Sequence, residues 1–349
     1  MLELGKAAGT SWTLGTNYYK ISLPFDSTLG ATKATGLVNF AATLGNAREV
    51  AQMYMGDLHG NLWKLDFSME GSANWTMTKL SAFIKGTSPS LIPYPLFIAK
   101  DGAGNEQPIT MAPNVAPGPT PTSRYVFFGT GKYMETADKS STAQQTVYMI
   151  YDDNTNTSGD SSPVGASAIS SRSRLRAGSS TVSTGAVAVL PFVAGRAMSS
   201  TTDDMAATTT RSGCYFDFST AGERQISSAT ILGEKVTFGS LIPGASSASS
   251  CSAPGGSGKQ YTINICGNGG ATDSTVGLLG EPLLIEIPGA TTRTISDSTG
   301  RRTKTVTYAV IQQGSAGVSA TPGTTTVTSI IGRLSWRQIN NYQDLRNAP

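Results

Sequence analysis

Asp57 and His59 stand two residues apart in the stretch MGDLHGNLWKLDF, residues 55–67, and His59 is the only histidine of the chain. An imidazole beside a carboxylate is the raw material of general-base chemistry or of a metal site. A protein zinc site needs three or four ligands, and no second histidine or adjacent cysteine supplies them. A hydrolytic triad would have to take its base from His59, with Asp57 two residues away on the same strand face. The flanks favour architecture instead. AQMYM and LWKLDF are short aromatic and aliphatic runs suited to half-buried strands, which makes Gly56-Asp57-Leu58-His59-Gly60-Asn61 a hairpin connection. In it Gly60 and Asn61 can take positive φ, and Asp57 can bond to its own backbone. The expectation is that Asp57, His59 and Asn61 tie the hairpin, with Trp63 and Leu65 packed beneath.

A second set of oxygen donors lies in DDNTNTSGD, where Asp152, Asn154 and Asn156 alternate and Asp160 follows. Alternation of this kind serves calcium in a helix-loop-helix site, but the glycine at the sixth position and the bidentate glutamate at the twelfth are missing, and Pro163 stands at the latter. A polar hairpin loop is the default, with these four residues kept as weak calcium candidates. Cys251 and Cys266 bound the segment CSAPGGSGKQYTINIC, where a disulfide would brace a loop with little core of its own. A Cys214–Cys251 pair is equally permitted, and free buried thiols are the alternative to either.

Composition narrows the partners. Only 14% of residues are charged and the net charge is +3, against about one quarter charged in an average soluble domain. The basic residues nowhere form a run longer than Arg301-Arg302, so nothing supports a nucleic-acid surface. No run of eighteen apolar residues exists and the N-terminus reads as no secretory signal. This leaves a cytoplasmic protein or a piece of a longer exported one.

Stepping along the chain, helix periodicity is scarce and strand signals are frequent. TNYYKISL, AQMYMGD, NLWKLDF, RYVFFGTG, TVYMIYDD, AVAVLPFV, GCYFDFS, ERQISSATILG, EKVTFGSLIP, QYTINIC, PLLIEIP, KTVTYAVIQQ and VTSIIGRLSW alternate with Gly, Pro, Asn and Asp. Such spacing indicates an all-β sandwich, barrel or propeller. Strands ending in aromatic-x-aspartate, as in LWKLDF, VYMIYDD and CYFDFST, favour the propeller. The Ser/Thr/Gly-rich stretches 152–186 and 244–260 read as insertions riding as loops on the outer faces.

The motifs also carry a resemblance. GDLHGNLWKLDF looks like the GDLxGNLWxFDL signature of the PilC/PilY family of type IV pilus proteins. QPIT at Gln107 and Pro108, then FFGTGKYMETAD with Gly129, Gly131 and Tyr133, resemble that family's QPITxxPxV and VxFGTGxYLExxD. QQTVYMIYDD is similar to the strand that follows. GCYFDFSTAGERQISSATILGEKVTFGSLIP is similar to the family's GWYLDLxxxGERVVxxPxxxxGxVxFxTLIP, with Cys251 where the family has a cysteine and GRLSWRQI, containing Trp336, close to its ending. The resemblance spans residues 55–338 in order. It implies a modified β-propeller of four-stranded antiparallel blades, with residues 1–349 forming a single C-terminal propeller-type domain or its later half, about four to five blades, and the family's N-terminal region absent.

Read physically, Gly129 and Gly131 let a strand turn sharply while Phe127 and Tyr133 pack between blades. Glu223 and Arg224 are expected to form a turn-bracing surface ion pair of at most about 1 kcal/mol, and Trp63, Trp75 and Trp336 to fill inter-blade space. The calcium loop that the family carries ahead of GDLxGNLW is replaced by NFAATLGNAREVAQMYMGDL, in which only Asn39, Asn46 and Glu49 offer side-chain oxygens, so this site is expected to be lost. The function implied is a non-enzymatic type IV pilus biogenesis factor and tip-located adhesin, exported to the pilus tip or outer-membrane surface. It would promote assembly, oppose retraction and mediate attachment. Its partners would be minor pilins at the filament tip, a host-cell or abiotic surface, and the rest of its own precursor or another subunit to complete the ring. The alternative is a quinoprotein-type dehydrogenase on the same scaffold, which would need a calcium site, a catalytic aspartate and a shaped cofactor pocket.

Overall fold

The computed structural model describes residues 7–68, 71, 75–85, 90–118, 121–152, 154, 172, 175–180, 186–188, 213–244, 256–295, 302–315, 317–318 and 323–331. Four sheets of four or more strands follow one another along the chain. The first orders Leu37–Leu44, Val50–Asp57, Asn61–Asp66 and Phe97–Ile98. The second orders Asn114–Pro117, Arg124–Gly129, Thr146–Asp152 and Gly213–Asp217, with Arg176–Ala177 added in parallel at its outer edge. The third orders Thr230–Leu232, Lys235–Gly239, Lys259–Asn264 and Gly269–Asp273, extended by Ala186–Ala188 and Ser179–Ser180. In the fourth, Arg302–Gly314 pairs with Leu279–Glu286 and Thr292–Ile295, and with Gly317–Val318 and Gly323–Ile331.

The reason for this stacking lies in the second sheet. In Thr146–Asp152 every residue is buried, because neighbouring sheets cover both faces. Val126, Phe128, Tyr148 and Ile150 point to a cluster with Tyr54, Leu62 and Phe97 of the first sheet. Phe127, Val147, Met149 and Phe216 point the other way, to Val236, Phe238, Tyr261 and Ile263 of the third. Ring contacts mark both seams: Phe97–Tyr148 at 4.9 Å on one side and Phe127–Phe238 at 5.3 Å on the other. The opening strands of successive sheets lie near one another, so they form the inner side of an arc of sheets packed face to face. That is β-propeller architecture, as the sequence implies.

Three expectations about elements are corrected. TNYYKISL is not a strand; it runs alongside the first sheet, where Ile21 and Leu23 pack on a cluster of Met55, Trp63, Leu65 and Leu80, and Tyr19 meets Trp75 at 4.9 Å. Its apolar residues find burial without a ladder partner, which local pattern cannot distinguish from a strand. The stretch 152–186 does not ride wholly outside: Leu175 enters the first core cluster and Arg176–Ala177 joins the second sheet. The supposed insertion 244–260 likewise ends inside Lys259–Asn264.

The cysteine pairing is also corrected. Cys214 on the second sheet is bonded to Cys266 beyond the end of the third sheet's Lys259–Asn264, with Cα atoms 5.6 Å apart. The bond therefore crosses a seam between sheets instead of bracing a loop, and the sequence pattern carried no signal for it because 52 residues separate the partners. Cys251, Asn156, Asp160 and Trp336 lie outside the described residues.

Candidate functional site

The family-like motifs gather along one line of contacts between sheets. At the turn of the first sheet, Asp57 Oδ1 accepts the backbone N–H groups of His59 and Asn61, both at 2.9 Å. Its Oδ2 accepts Asn61 Nδ2 at 2.9 Å and Trp63 Nε1 at 2.8 Å. Asp57 thus grips the backbone of His59 and not its ring, and its oxygens are fully engaged. The imidazole is buried, with Nε2 3.5 Å from the Lys33 carbonyl. A catalytic dyad does not form. The same turn recurs at Asp101, whose carboxylate accepts Ala103 N, Asn105 N and Asn105 Nδ2, each at 2.9 Å. DLHGN and DGAGN are one motif, D-x-x-G-N, repeated 44 positions on, a blade-length period that sequence reasoning overlooked.

From this turn, backbone hydrogen bonds pass from sheet to sheet. Ile109 N donates to Asp57 O at 3.0 Å, Gly131 N to Pro108 O at 2.8 Å and Gln225 N to Thr130 O at 3.1 Å. Arg224 and Leu241 then exchange both of their backbone bonds. Glycine is required where these segments touch. A Cβ on Gly56 would strike Ile109, one on Gly129 would strike Gln225, and one on Gly131, at φ +128°, would strike Arg224. Gln107 donates to Gln144 O and Thr146 Oγ1 while its Oε1 accepts the Tyr148 hydroxyl at 2.7 Å. Tyr133, expected between blades, is only half-buried, and Trp63 packs on the far face of the first sheet.

Glu223 and Arg224 are not a surface ion pair, because both are buried. The Arg224 guanidinium instead ties three carbonyls, of Gly222, Lys132 and Ser141, at 2.6–2.8 Å. Glu223 accepts Ser240 Oγ at 2.6 Å and the Tyr261 hydroxyl at 2.7 Å, and lies 3.2 Å from Lys259 Nζ. Burial, followed by the Glu223 carboxylate, drives the Tyr261 phenol well above its usual range.

A matching cluster, unseen in the sequence, joins the first and second sheets. Lys64 Nζ lies 2.7 Å from Asp152 Oδ2 and donates to Asn154 Oδ1 at 2.8 Å. The Tyr54 hydroxyl donates to Asp152 at 2.7 Å, and Gln52 Nε2 to Asn154 Oδ1. Burial and then Asp152 raise the Tyr54 phenol far above its normal value. The calcium candidates Asp152 and Asn154 are therefore occupied by an ammonium group from inside the core. Among the described residues no group of three or more His, Cys, Asp or Glu side chains is placed to hold a metal ion.

Beside the line of motifs opens a cleft of about 460 Å³, with Lys33, Glu106, Lys132, Glu135, Asp138 and Arg224 among its walls. Most of these charges are paired: Lys33 lies 3.0 Å from Glu106, which Lys100 also approaches at 3.2 Å from outside the cleft walls, and Lys132 lies 2.9 Å from both Glu135 and Asp138. Burial works to raise the Glu106 carboxyl, but hydrogen bonds led by Lys33 outweigh it and hold it at about 2.

Residues 36–175 match the model of the PilY1 beta-propeller domain. The type IV pilus biogenesis factor PilY1 homolog of Xylella fastidiosa (strain Temecula1) is 30% identical over 227 residues, covering 64% of this chain and 14% of its own length. The type IV pilus biogenesis factor PilY1 of Pseudomonas aeruginosa (strain PAO1) is 39% identical over 109 residues, covering 29% of this chain and 9% of its own. The chain thus spans a small part of these relatives. Among solved structures, the Pseudomonas aeruginosa PilY1 C-terminal domain aligns with a TM-score of 0.50 at 22% identity, over 83% of this chain and 62% of that one, which speaks to the fold. Among the described residues no helix is long and apolar enough to cross a membrane.

Proposed function

Since this chain is a PilY1-family protein, we propose that it serves type IV pilus biogenesis as a non-enzymatic, tip-located adhesin, promoting assembly, opposing retraction and mediating attachment. The observation that carries this reading is the match of residues 36–175 to the PilY1 propeller. The use of the motif side chains supports the non-enzymatic part. Asp57 spends its carboxylate oxygens closing its own hairpin, Gln107 and Arg224 spend their polar atoms tying neighbouring segments together, and among the described residues no carboxylate meets the His59 ring. Catalysis by proton transfer needs a free base within hydrogen-bond reach of a substrate, and the polar side-chain atoms of Asp57 and Arg224 are already engaged within the protein.

In this role the propeller is a rigid platform displayed outside the cell, with minor pilins at the filament tip as its seat and a host-cell or abiotic surface as its target. Further blades, from a longer polypeptide or another subunit, would extend the arc. Deletion of the gene followed by counting of surface pili by electron microscopy tests the role in biogenesis. The expected result is sparse or absent pili, restored by the wild-type gene; normal numbers would overturn it. Immunogold labelling separates a tip position from one along the envelope, and an attachment assay at equal piliation separates adhesion from assembly.

A further inference from the structure

At the first seam Lys64 Nζ meets more than its charge requires. Asp152 Oδ2 at 2.7 Å neutralises the ammonium, and both side chains are closed to solvent. The ammonium also donates to Asn154 Oδ1 at 2.8 Å, and the same oxygen accepts Gln52 Nε2 at 2.7 Å. That 2.8 Å contact plus a carbonyl bond of about 1.2 Å puts Asn154 Cγ within about 4 Å of the lysine nitrogen. The carboxamide is anchored by its own backbone: Asn154 sits at φ 58°, and its N–H donates to Asp152 Oδ1 at 2.9 Å.

These are the parts of an acyl-transfer site. A desolvated lysine amine is a nucleophile, a carboxylate against it is a base for its proton, and a donor on the carbonyl oxygen stabilises the oxyanion that attack creates. The matching cluster at the third sheet lacks one part. Lys259 faces a buried carboxylate bonded to a tyrosine, Glu223 with Tyr261, but where Lys64 meets a carboxamide it meets the Thr220 hydroxyl at 2.8 Å, which offers no acyl carbon.

We propose that Lys64 and Asn154 close an isopeptide bond across the first seam, with Asp152 as the acid–base group and Gln52 as the oxyanion donor. Asp152 takes a proton from the Lys64 ammonium, and the freed amine attacks Asn154 Cγ. The tetrahedral intermediate carries its negative charge on Oδ1, against Gln52 Nε2. The attacking nitrogen gives up a second proton as the Cγ–Nδ2 bond breaks, and Nδ2 departs as ammonium with the two protons that lysine lost. One amide replaces another, nothing is oxidised or reduced, and Asp152 ends as the carboxylate it began. Holding the reactants in one seam supplies the effective concentration the step needs. Freshly folded chain holds the ion pair and aged chain the link, which ties the first sheet to the second as Cys214–Cys266 ties the second to the third.

The test incubates the whole folded chain at neutral pH, then denatures and reduces it for intact mass spectrometry and digests it for tandem sequencing. The expected result is loss of the mass of one ammonia together with a branched peptide joining Lys64 to Asn154. Succinimide formation at an asparagine loses the same mass but leaves peptides linear, so the branch decides. Asn154→Ala keeps the Lys64–Asp152 pair and should give only linear peptides. Gln52→Met should slow closure about a hundredfold, and it serves if the first variant folds poorly. Recovery of only linear Lys64 and Asn154 peptides from aged, folded wild type would overturn the proposal. So would closure of Gln52→Met at the wild-type rate, or equal branching at Lys259, because the placed carboxamide and its oxyanion donor would then play no part.

Discussion

The two seams flanking the second sheet use the same three chemical groups in different ways. Between the first and second sheets, Lys64 and Tyr54 reach across to Asp152, so the cluster spans the seam within the aromatic core. Between the second and third, Lys259 and Tyr261 stand on one strand and meet Glu223 from the connecting loop, so that cluster pins a loop to the end of its own sheet. The span across this second seam falls to the Cys214–Cys266 bond. A buried ion pair adds little net stability over an apolar replacement, but it penalises every arrangement that separates the charges. A disulfide acts largely by restricting the unfolded chain. One seam is held by the cost of separating its partners, the other by a covalent link.

The largest effect is expected from breaking the first seam. Asp152→Ala strands the buried Lys64 ammonium and should cost about 3–5 kcal/mol, measured as a lower urea midpoint at unchanged slope. Lys64→Met with Asp152→Leu should recover most of that loss; if the single variant costs under about 1 kcal/mol, the ion pair does not hold the seam. Removing the covalent link comes next. Cys214→Ala with Cys266→Ala should destabilise by about 2–4 kcal/mol, and reduction of the wild type should match it while leaving the Asp152→Ala loss additive.

Gly131→Ala probes the backbone line that both seams share. A side chain there needs φ near +128° and meets Arg224, so a loss of about 1–3 kcal/mol is expected in thermal melts. The smallest effect belongs to the cleft. A carboxyl whose folded pKa lies below its unfolded value stabilises the fold above the unfolded value, and that contribution fades as pH falls through the folded one. For Glu106 the window runs from 4.5 to about 2. Glu106→Gln should flatten the stability–pH curve there, by under about 1 kcal/mol because the pairs are partly exposed.

Much of this was legible in the chain. The hairpin at Asp57, the strand Thr146–Asp152 and the glycines of FFGTGKY follow from local pattern and turn chemistry. The D-x-x-G-N repeat was equally local and was missed because its two copies share only three residues. Glu223 and Arg224 were misread, since a charged pair beside a glycine looks like a surface turn until the packing of the third sheet buries it.

Alternation along a strand states which side chains share a face, and that much LWKLDF, RYVFFG and TVYMIYD determined by themselves. What covers each face is another matter. Tyr54 meets Asp152 across 98 residues and Cys214 meets Cys266 across 52. Only the stacking of whole sheets decides such meetings, because burial energy is non-directional and rewards any apolar cover. The choice of cover then falls to shape, buried charge and the glycines that let backbones touch.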